Sequence, residues 1–161
     1  MPETTNEIPT PKFEIYEVTT EDEFAEVFPL LQQLGRIETP ETIEDLTLAK
    51  SWAQYQKSYE QNYRLYVAKN TSEVLGLAGL RVCDDPLNNS KPYGIINNLV
   101  VEEDYRGLGI GTDILERVEL VAQKYKCDLC MIVYLTSNKQ AKDLYEQNGY
   151  NHVANMMVKE I

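Results

Sequence analysis

The stretch Val100-Val101-Glu102-Glu103-Asp104-Tyr105-Arg106-Gly107-Leu108-Gly109-Ile110-Gly111-Thr112 constrains the fold more than any other part of the chain. An apolar pair leads into a short loop, and alternate glycines then open a segment with helical periodicity. In that order, strand, glycine turn and helix bring the unpaired amides of a helix start to one point, where they face anything anionic. Glycine removes the side chains that would block such a ligand. Arg106 adds a fixed positive charge able to hold two phosphate oxygens, and Thr112 adds a hydroxyl. The stretch is a phosphate site by physics, and a tight strand-to-helix turn is the plainer reading that stays open.

Two other phosphate motifs do not fit. A P-loop ends in Gly-Lys-Ser/Thr, whereas Gly111 is followed by Thr112-Asp113. A dinucleotide fingerprint carries GxGxxG near the first strand of a βαβ unit, and here the spacing is GxGxG, late in the chain.

The surrounding pattern is mixed α/β. With 161 residues, 43% hydrophobic and 25% charged, the chain is sized for one compact core. A mobile leader is expected over residues 1–11 and one α/β domain over residues 12–161. Phe13, Ile15 and Val18 suggest a first strand, and Thr20 with Glu23 forms a capping box for a helix through Phe24, Val27, Phe28, Leu31 and Leu34, stopped at Gly35. A second helix is expected from Thr39-Pro40 through Ile43, Leu46, Ala49, Ala53 and Tyr59. Its aromatics Trp52, Tyr55 and Tyr59 read either as a packing face or as the lining of a cleft. Residues 64–69 and 74–83 form a hairpin around Asn70-Thr71-Ser72-Glu73, residues 84–92 a loop, and residues 93–101 an apolar strand. A helix over about 109–125, a strand over 129–135, a helix over 138–148 ended by Gly149, and a final strand over 150–158 complete the order.

The net charge of −11 argues against a nucleic-acid partner, since binding a phosphate backbone needs concentrated Lys and Arg. Residues 1–60 hold 4 Lys or Arg against 13 Asp or Glu, so the acidic excess is N-terminal. That excess either steers a cationic ligand or simply solubilises the chain. No apolar run reaches the ~18 residues of a membrane span and the N-terminus lacks a signal pattern, so a soluble, cytoplasmic protein is expected. The three cysteines, Cys83, Cys127 and Cys130, suit a reducing compartment. Cys127 and Cys130 have CxxC spacing, but there is no second pair and His152 is the single histidine, so no metal site is expected.

Arg106-x-x-Gly109-x-Gly111 resembles the Arg/Gln-x-x-Gly-x-Gly/Ala motif of the GNAT superfamily of acetyl-CoA-dependent N-acyltransferases. Ile96-Asn97-Asn98-Leu99-Val100-Val101 lies where that family has its fourth strand, and Asn138-x-x-Ala141-x-x-x-Tyr145-x-x-x-Gly149-Tyr150 follows the fifth at the family's spacing. The resemblance covers residues 93–152. It implies a mixed, mostly antiparallel central sheet with helices on both faces and splayed fourth and fifth strands, binding acetyl-CoA as co-substrate without a metal. The amides of Gly107, Leu108, Gly109, Ile110, Gly111 and Thr112, with Arg106, would cradle the pyrophosphate. Leu99, Val100 and Val101 would flank the pantetheine arm opposite residues 130–135, with the Leu99 amide polarising the thioester carbonyl. Asn138 would hydrogen-bond the cofactor, Ala141 would leave it room, and Tyr145 would protonate the departing thiolate.

The residues themselves allow another account of Tyr145, which shares a helix face with Ala141 and Leu144 and so reads equally as a core aromatic. As an acid, a phenol near pKa ~10 serving a thiolate near ~8.5 works uphill by roughly 2 kcal/mol. Many relatives carry Glu or Asp where this chain has Asn97-Asn98, and a neutral amide accepts no proton at pH 7. Either a carboxylate elsewhere acts through water, or an amine of low pKa arrives neutral and the asparagines orient it. A Cys130 nucleophile has no activating histidine close in sequence. The expected acceptor is a small-molecule amine, with a cationic one favoured by the charge distribution; an acetyl-CoA-binding regulatory or toxin–antitoxin protein is the alternative, and a homodimer is left open.

Overall fold

The computed structural model describes residues 11–87 and 91–161. The expected leader lies outside them except for its last residue, as do positions 88–90 of the expected loop. Five strands, β1 (Glu14–Glu17), β2 (Tyr63–Lys69), β3 (Val74–Cys83), β4 (Tyr93–Val101) and β5 (Cys130–Ile132), form one sheet in the order β1-β2-β3-β4-β5. The first three pairings are antiparallel and β4–β5 is parallel. The helices are α1 (Glu21–Glu38), α2 (Leu48–Glu60), α3 (Ile110–Lys124) and α4 (Lys139–Gln147).

Alternation along β2 divides the core into two layers. Leu65 and Val67 pack with Phe24, Val27, Phe28 and Leu34 of α1 and Tyr55 of α2. Tyr66 and Ala68 pack on the other side with Ile114, Leu115 and Val118 of α3 and Tyr145 of α4. Helices therefore cover both faces of a mostly antiparallel sheet. Among the described residues no helix is long and apolar enough to cross a membrane.

The Thr20–Glu23 capping box is present, with the Thr20 hydroxyl accepting from the Glu23 amide and the Glu23 carboxylate accepting from the Thr20 amide. Gly35 does not stop α1, which runs on to Glu38. A Cβ at Gly35 would come within 2.8 Å of Ile43 Cδ1, so glycine permits the following turn to close on the helix. The expected second helix is divided. Pro40–Asp45 is a 3₁₀ turn, and α2 begins only after Thr47, whose hydroxyl accepts from the Lys50 amide. That cap competes with helix continuation and resets the start. In the β2–β3 hairpin the Asn70 side chain accepts from the amides of Ser72 and Glu73, as the turn chemistry predicts.

The largest differences lie at the C-terminal end. The expected strand over 129–135 pairs only at Cys130–Ile132, and the expected final strand over 150–158 is absent. Side chains tie this region down where a ladder was expected. The Tyr150 hydroxyl donates to Glu119 Oε1 at 2.6 Å, and the Tyr134 hydroxyl meets His152 Nε2 at 2.9 Å. Residues 151–161 are exposed, so their apolar residues gain nothing from a strand register.

Candidate active site

The strands β4 and β5 pair at Gly94, Ile95 and Ile96 and then separate. Beyond Ile132 the chain leaves the sheet, so residues 97–101 have no partner on that side and the sheet opens as a wedge. On its other side β4 is irregular too. Gly79 faces Asn97 and Leu77 faces Val100, so Asn98 and Leu99 together stand opposite Ala78. This is a β-bulge, with Asn98 at φ 52°. The register gives Leu99 no paired residue on either neighbouring strand.

The bulge changes which way β4 faces. Ile96 and Val100 would share a side in a regular strand, yet Ile96 packs in the α3 layer and Val100 in the α1 layer. Asn97 and Asn98, although consecutive, both reach one hydroxyl. The Tyr63 hydroxyl donates to Asn97 Oδ1 at 3.0 Å and accepts from Asn98 Nδ2 at 2.8 Å. Each amide is thereby oriented, leaving Asn97 with its NH₂ and Asn98 with its carbonyl for further bonds. Burial pushes the Tyr63 phenol up to about 12, with the Asn98 bond and the Arg81 charge opposing the shift. It therefore stays protonated at neutral pH.

The glycine loop meets the wedge at the start of α3. Gly107 and Gly109 have φ of 78° and 84°, and a Cβ at either would touch nothing within 4 Å. Glycine is required there by the left-handed backbone, and the space in front is open. Gly109 occupies the cap position without a side-chain cap, so the amides of Ile110, Gly111 and Thr112 are unclaimed by any capping side chain. Gly111 has a different reason, since a Cβ there would press on Leu144 Cδ2 at 3.1 Å where α3 meets α4. Arg106 is exposed and its Nε donates to the Val101 carbonyl at 3.0 Å, which pins the loop to the end of β4 and leaves the terminal guanidinium nitrogens outward. The Thr112 hydroxyl accepts from Asn148 Nδ2 at 3.2 Å and retains its own proton to donate. Leu108 is half-buried beside this turn.

On the α3 side, Leu99, Val101, Tyr134 and Ala141 pack against the core layer to which the buried Tyr145 belongs. The Tyr145 ring lies 5.7 Å from Tyr134 and 6.2 Å from Tyr150, centroid to centroid, in edge-on contacts. Its hydroxyl has no hydrogen-bond partner among the described residues. The Ser51 hydroxyl is the one enclosed side-chain polar atom there without a partner, so the Tyr145 oxygen still reaches open space. Burial, and then the charge of Glu38, push the Tyr145 phenol up to about 12. Asn138 caps α4, its Oδ1 accepting from the Ala141 amide at 3.1 Å, which leaves its NH₂ as the group available to a cofactor. Cys130 is a free thiol pushed up to about 11 by burial, a poor nucleophile.

Two residues here carried no sequence signal. Tyr63 reads as one more strand aromatic until the bulge aims both asparagines at it. Glu38, at the end of α1, reads as an ordinary surface carboxylate, and its charge bears on the Tyr145 phenol only in the folded chain. The aromatics of α2 belong to packing: Tyr55 stacks on Phe24 at 5.3 Å and its hydroxyl donates to the Val18 carbonyl at 2.8 Å. A separate cavity of about 400 Å³ lies between α1 and the β2–β3 hairpin, lined by Glu26, Leu30, Lys69, Glu73 and Glu102 among others. None of the expected site residues lines it.

Comparison with known proteins gives a consistent picture. Residues 31–150 match the acetyltransferase (GNAT) family. The chain is 35% identical over 79 residues to N-alpha-acetyltransferase 30 of Saccharomyces cerevisiae, a match covering 48% of this chain and 45% of the yeast protein. The chain thus spans under half the length of that curated relative. Among solved structures, an acetyltransferase of Trypanosoma brucei aligns with TM-score 0.76 at 16% identity, over 93% of this chain and 100% of that one. Glucosamine-6-phosphate N-acetyltransferase of Arabidopsis thaliana aligns with TM-score 0.72 at 19% identity, over 92% and 98%. At these identities the structural likenesses establish the fold.

Proposed function

The chain belongs to the acetyltransferase (GNAT) family, and we propose that it is an N-acetyltransferase that moves the acetyl group of acetyl-CoA directly to a primary amine held against Asn97 and Asn98. The observation that carries this reading is the wedge between β4 and β5, ending at the uncapped start of α3. The residues fit the co-substrate. Three amides and Arg106 suit the pyrophosphate, the open space before Gly107 and Gly109 admits it, and the unpaired edge of β4 from Leu99 to Val101 suits the amide-bearing pantetheine arm. Acetyl-CoA brings the activated acyl group; the chain positions and stabilises.

On this reading the Leu99 amide polarises the thioester carbonyl, where a donor aimed at developing negative charge is worth several kcal/mol, roughly 3 by analogy with other oxyanion donors. The Asn98 carbonyl, held by Tyr63, accepts a hydrogen bond from the incoming amine and sets its approach. On this reading Tyr145, whose hydroxyl has no partner among the described residues, supplies a proton to the leaving thiolate. Burial makes this harder than for an ordinary phenol: a donor near 12 serving a thiol near ~8.5 works uphill by about 5 kcal/mol. That fits within a barrier of roughly 16 kcal/mol for ~10 turnovers per second.

A small-molecule amine is the acceptor on this reading. The likeness to a yeast protein named for N-alpha-acetylation favours a second reading, in which the acceptor is the α-amino group of a peptide. Assaying thiol release with an amino sugar, an amino acid amide, a polyamine and a short peptide separates the two. Turnover with the small amines alone supports the first; a preference of tenfold or more for the peptide replaces it with the second.

A further inference from the structure

The asparagines that orient the amine belong to a larger polar group on the α1 side of the sheet. Residues opposite each other in an antiparallel pair share a face, as do residues two apart on one strand. Arg81 stands opposite Tyr63, and Asn97 stands opposite Gly79, two residues from Arg81. Tyr63, Gly79, Arg81 and Asn97 therefore share one face, and Tyr63 fixes it as the one that carries the α1 layer. Gly79 lets the group close up. A Cβ there would collide with the Tyr63 hydroxyl and lie 2.6 Å from Asn97 Oδ1. The Arg81 guanidinium carbon lies 5.3 Å from the centre of the Tyr63 ring, whose hydroxyl holds both asparagines.

Arg81 has no anion to match it. On the same pair of strands, Arg64 pairs with Glu17 at 3.3 Å and Lys69 pairs with Glu26. Arg81 Nη1 donates to the Gln61 carbonyl at 3.1 Å, and among the described residues no carboxylate pairs with the guanidinium. Its other donors stay available on a half-buried side chain. The neighbouring amides are open as well. Asn97 keeps its NH₂ and Asn98 its carbonyl, and neither is enclosed, since the Ser51 hydroxyl is the one enclosed side-chain polar atom without a partner among the described residues. The group thus offers guanidinium and carboxamide donors beside a single carbonyl acceptor. A carboxylate suits the donors, and an amine N–H suits the carbonyl. Arg81 and Asn97 are diagonal neighbours across β3 and β4, a spacing of roughly 7–8 Å, so the anion and the amine belong a few bonds apart in one small molecule.

We propose that Arg81 selects the acceptor and that the acceptor is an amino acid, its carboxylate held by Arg81 and the Asn97 NH₂ and its amine by the Asn98 carbonyl. The inference rests on the acetyl-transfer reading above and narrows its small-molecule amine to one that carries its own anion. Arginine fits this task better than lysine, because the planar fork meets a carboxylate with two parallel N–H bonds. An anionic group runs against the steering of a cation that the N-terminal acidic excess suggests. Three carboxylates of that excess are engaged within the fold: Glu17 by Arg64 and Tyr59, Glu23 in the α1 cap, and Glu26 by Lys69.

The test measures thiol release by the full chain, as wild type, Arg81→Gln and Arg81→Lys, with the common amino acids, their carboxamides and phosphoethanolamine, beside the amino sugar, polyamine and peptide of the assay above. For its best amino acid the wild type is expected to show kcat/KM at least about tenfold above that for the matching carboxamide. Arg81→Gln should lower kcat/KM for that amino acid about tenfold or more, chiefly through KM, and leave the carboxamide within about threefold. Arg81→Lys should restore part of the loss, since the charge returns without the fork. Carboxamide turnover by the same variant controls for folding, and calorimetry should find acetyl-CoA affinity within about twofold of wild type. Carboxamides or other amines without an anion used as well as amino acids overturn the proposal and leave acetyl transfer standing. A fall with both acceptors alike in Arg81→Gln also overturns it, since Arg81 is then structural. A tenfold preference for phosphoethanolamine overturns the carboxylate and assigns the guanidinium to a phosphate. Absence of thiol release by the wild type with every amine removes acetyl transfer and the acceptor assignment together.

Discussion

Replacing Tyr63 by Phe removes one oxygen from the centre of the acceptor side and keeps the ring that packs in the α1 layer. Two hydrogen bonds go with it, the 2.8 Å bond from Asn98 and the 3.0 Å bond to Asn97. Both amides are half-buried, so water recovers part of the loss, and about 1 kcal/mol for each bond is the reasonable scale. The expected destabilisation is about 2 kcal/mol, or ~4–8 °C in melting temperature for a domain of this size. Function should suffer further. Asn98 sits at φ 52° in the bulge, and without Tyr63 nothing else described in the structure fixes its amide. Turnover is expected to fall about tenfold or more with acetyl-CoA affinity unchanged, because the pyrophosphate loop is untouched. Thermal unfolding by circular dichroism, calorimetry with acetyl-CoA and a thiol-release assay measure the three quantities. A melting temperature within 1 °C of wild type together with normal turnover would refute the reasoning, since the bridge would then neither hold the fold nor orient the asparagines.

Further outcomes follow from other parts of the site. Gly109→Asp forces a side chain into a left-handed backbone at φ 84° and adds negative charge before the helix amides; acetyl-CoA binding should be lost in calorimetry while the far-ultraviolet spectrum persists. Tyr145→Phe removes a hydroxyl with no partner among the described residues, so melting should change little while turnover falls about a hundredfold. Because the folded Tyr145 phenol ionises only near 12 and an unfolded one near ~10, the wild type should lose stability as pH rises through that window, and Tyr145→Phe should lose less of it in alkaline melts. Gly35→Ala sets a Cβ 2.8 Å from Ile43 Cδ1, the end of a side chain free to turn aside, while alanine inside α1 gains about 1 kcal/mol of helix propensity, so melting should stay equal or rise slightly; a helix-stopping glycine in a left-handed backbone would instead lose about 1 kcal/mol.

The glycine turn, the β2–β3 hairpin and the α1 cap were legible because each depends on residues close in sequence. Glycines at positive φ, an Asn accepting from amides two and three residues on, and a Thr–Glu box are local chemistry. The division of the second helix was harder, because Thr47 competes for its cap only once the turn from Pro40 has closed on Gly35. The missing final strand shows the same limit in another form. An apolar pattern over residues 150–158 is compatible with a strand, but a strand forms only where a neighbour offers an edge in register, and Tyr150 and His152 make side-chain bonds. The site divides similarly. Asn97 and Asn98 stood out in sequence as the place where a carboxylate was missing, yet their common partner Tyr63 depends on a bulge that reverses the alternation of β4.

The most direct test of acetyl transfer follows both products in one reaction, thiol release from acetyl-CoA and the mass of the amine incubated with it. The account predicts amine-dependent release, with one thiol freed for each acceptor molecule that gains an acetyl group, and no acetylated protein species accumulating on Cys130. Tight acetyl-CoA binding with no thiol release and no mass gain across small amines, amino acids, polyamines and peptides would contradict it, and would mark the chain as a protein that holds acetyl-CoA without turning it over.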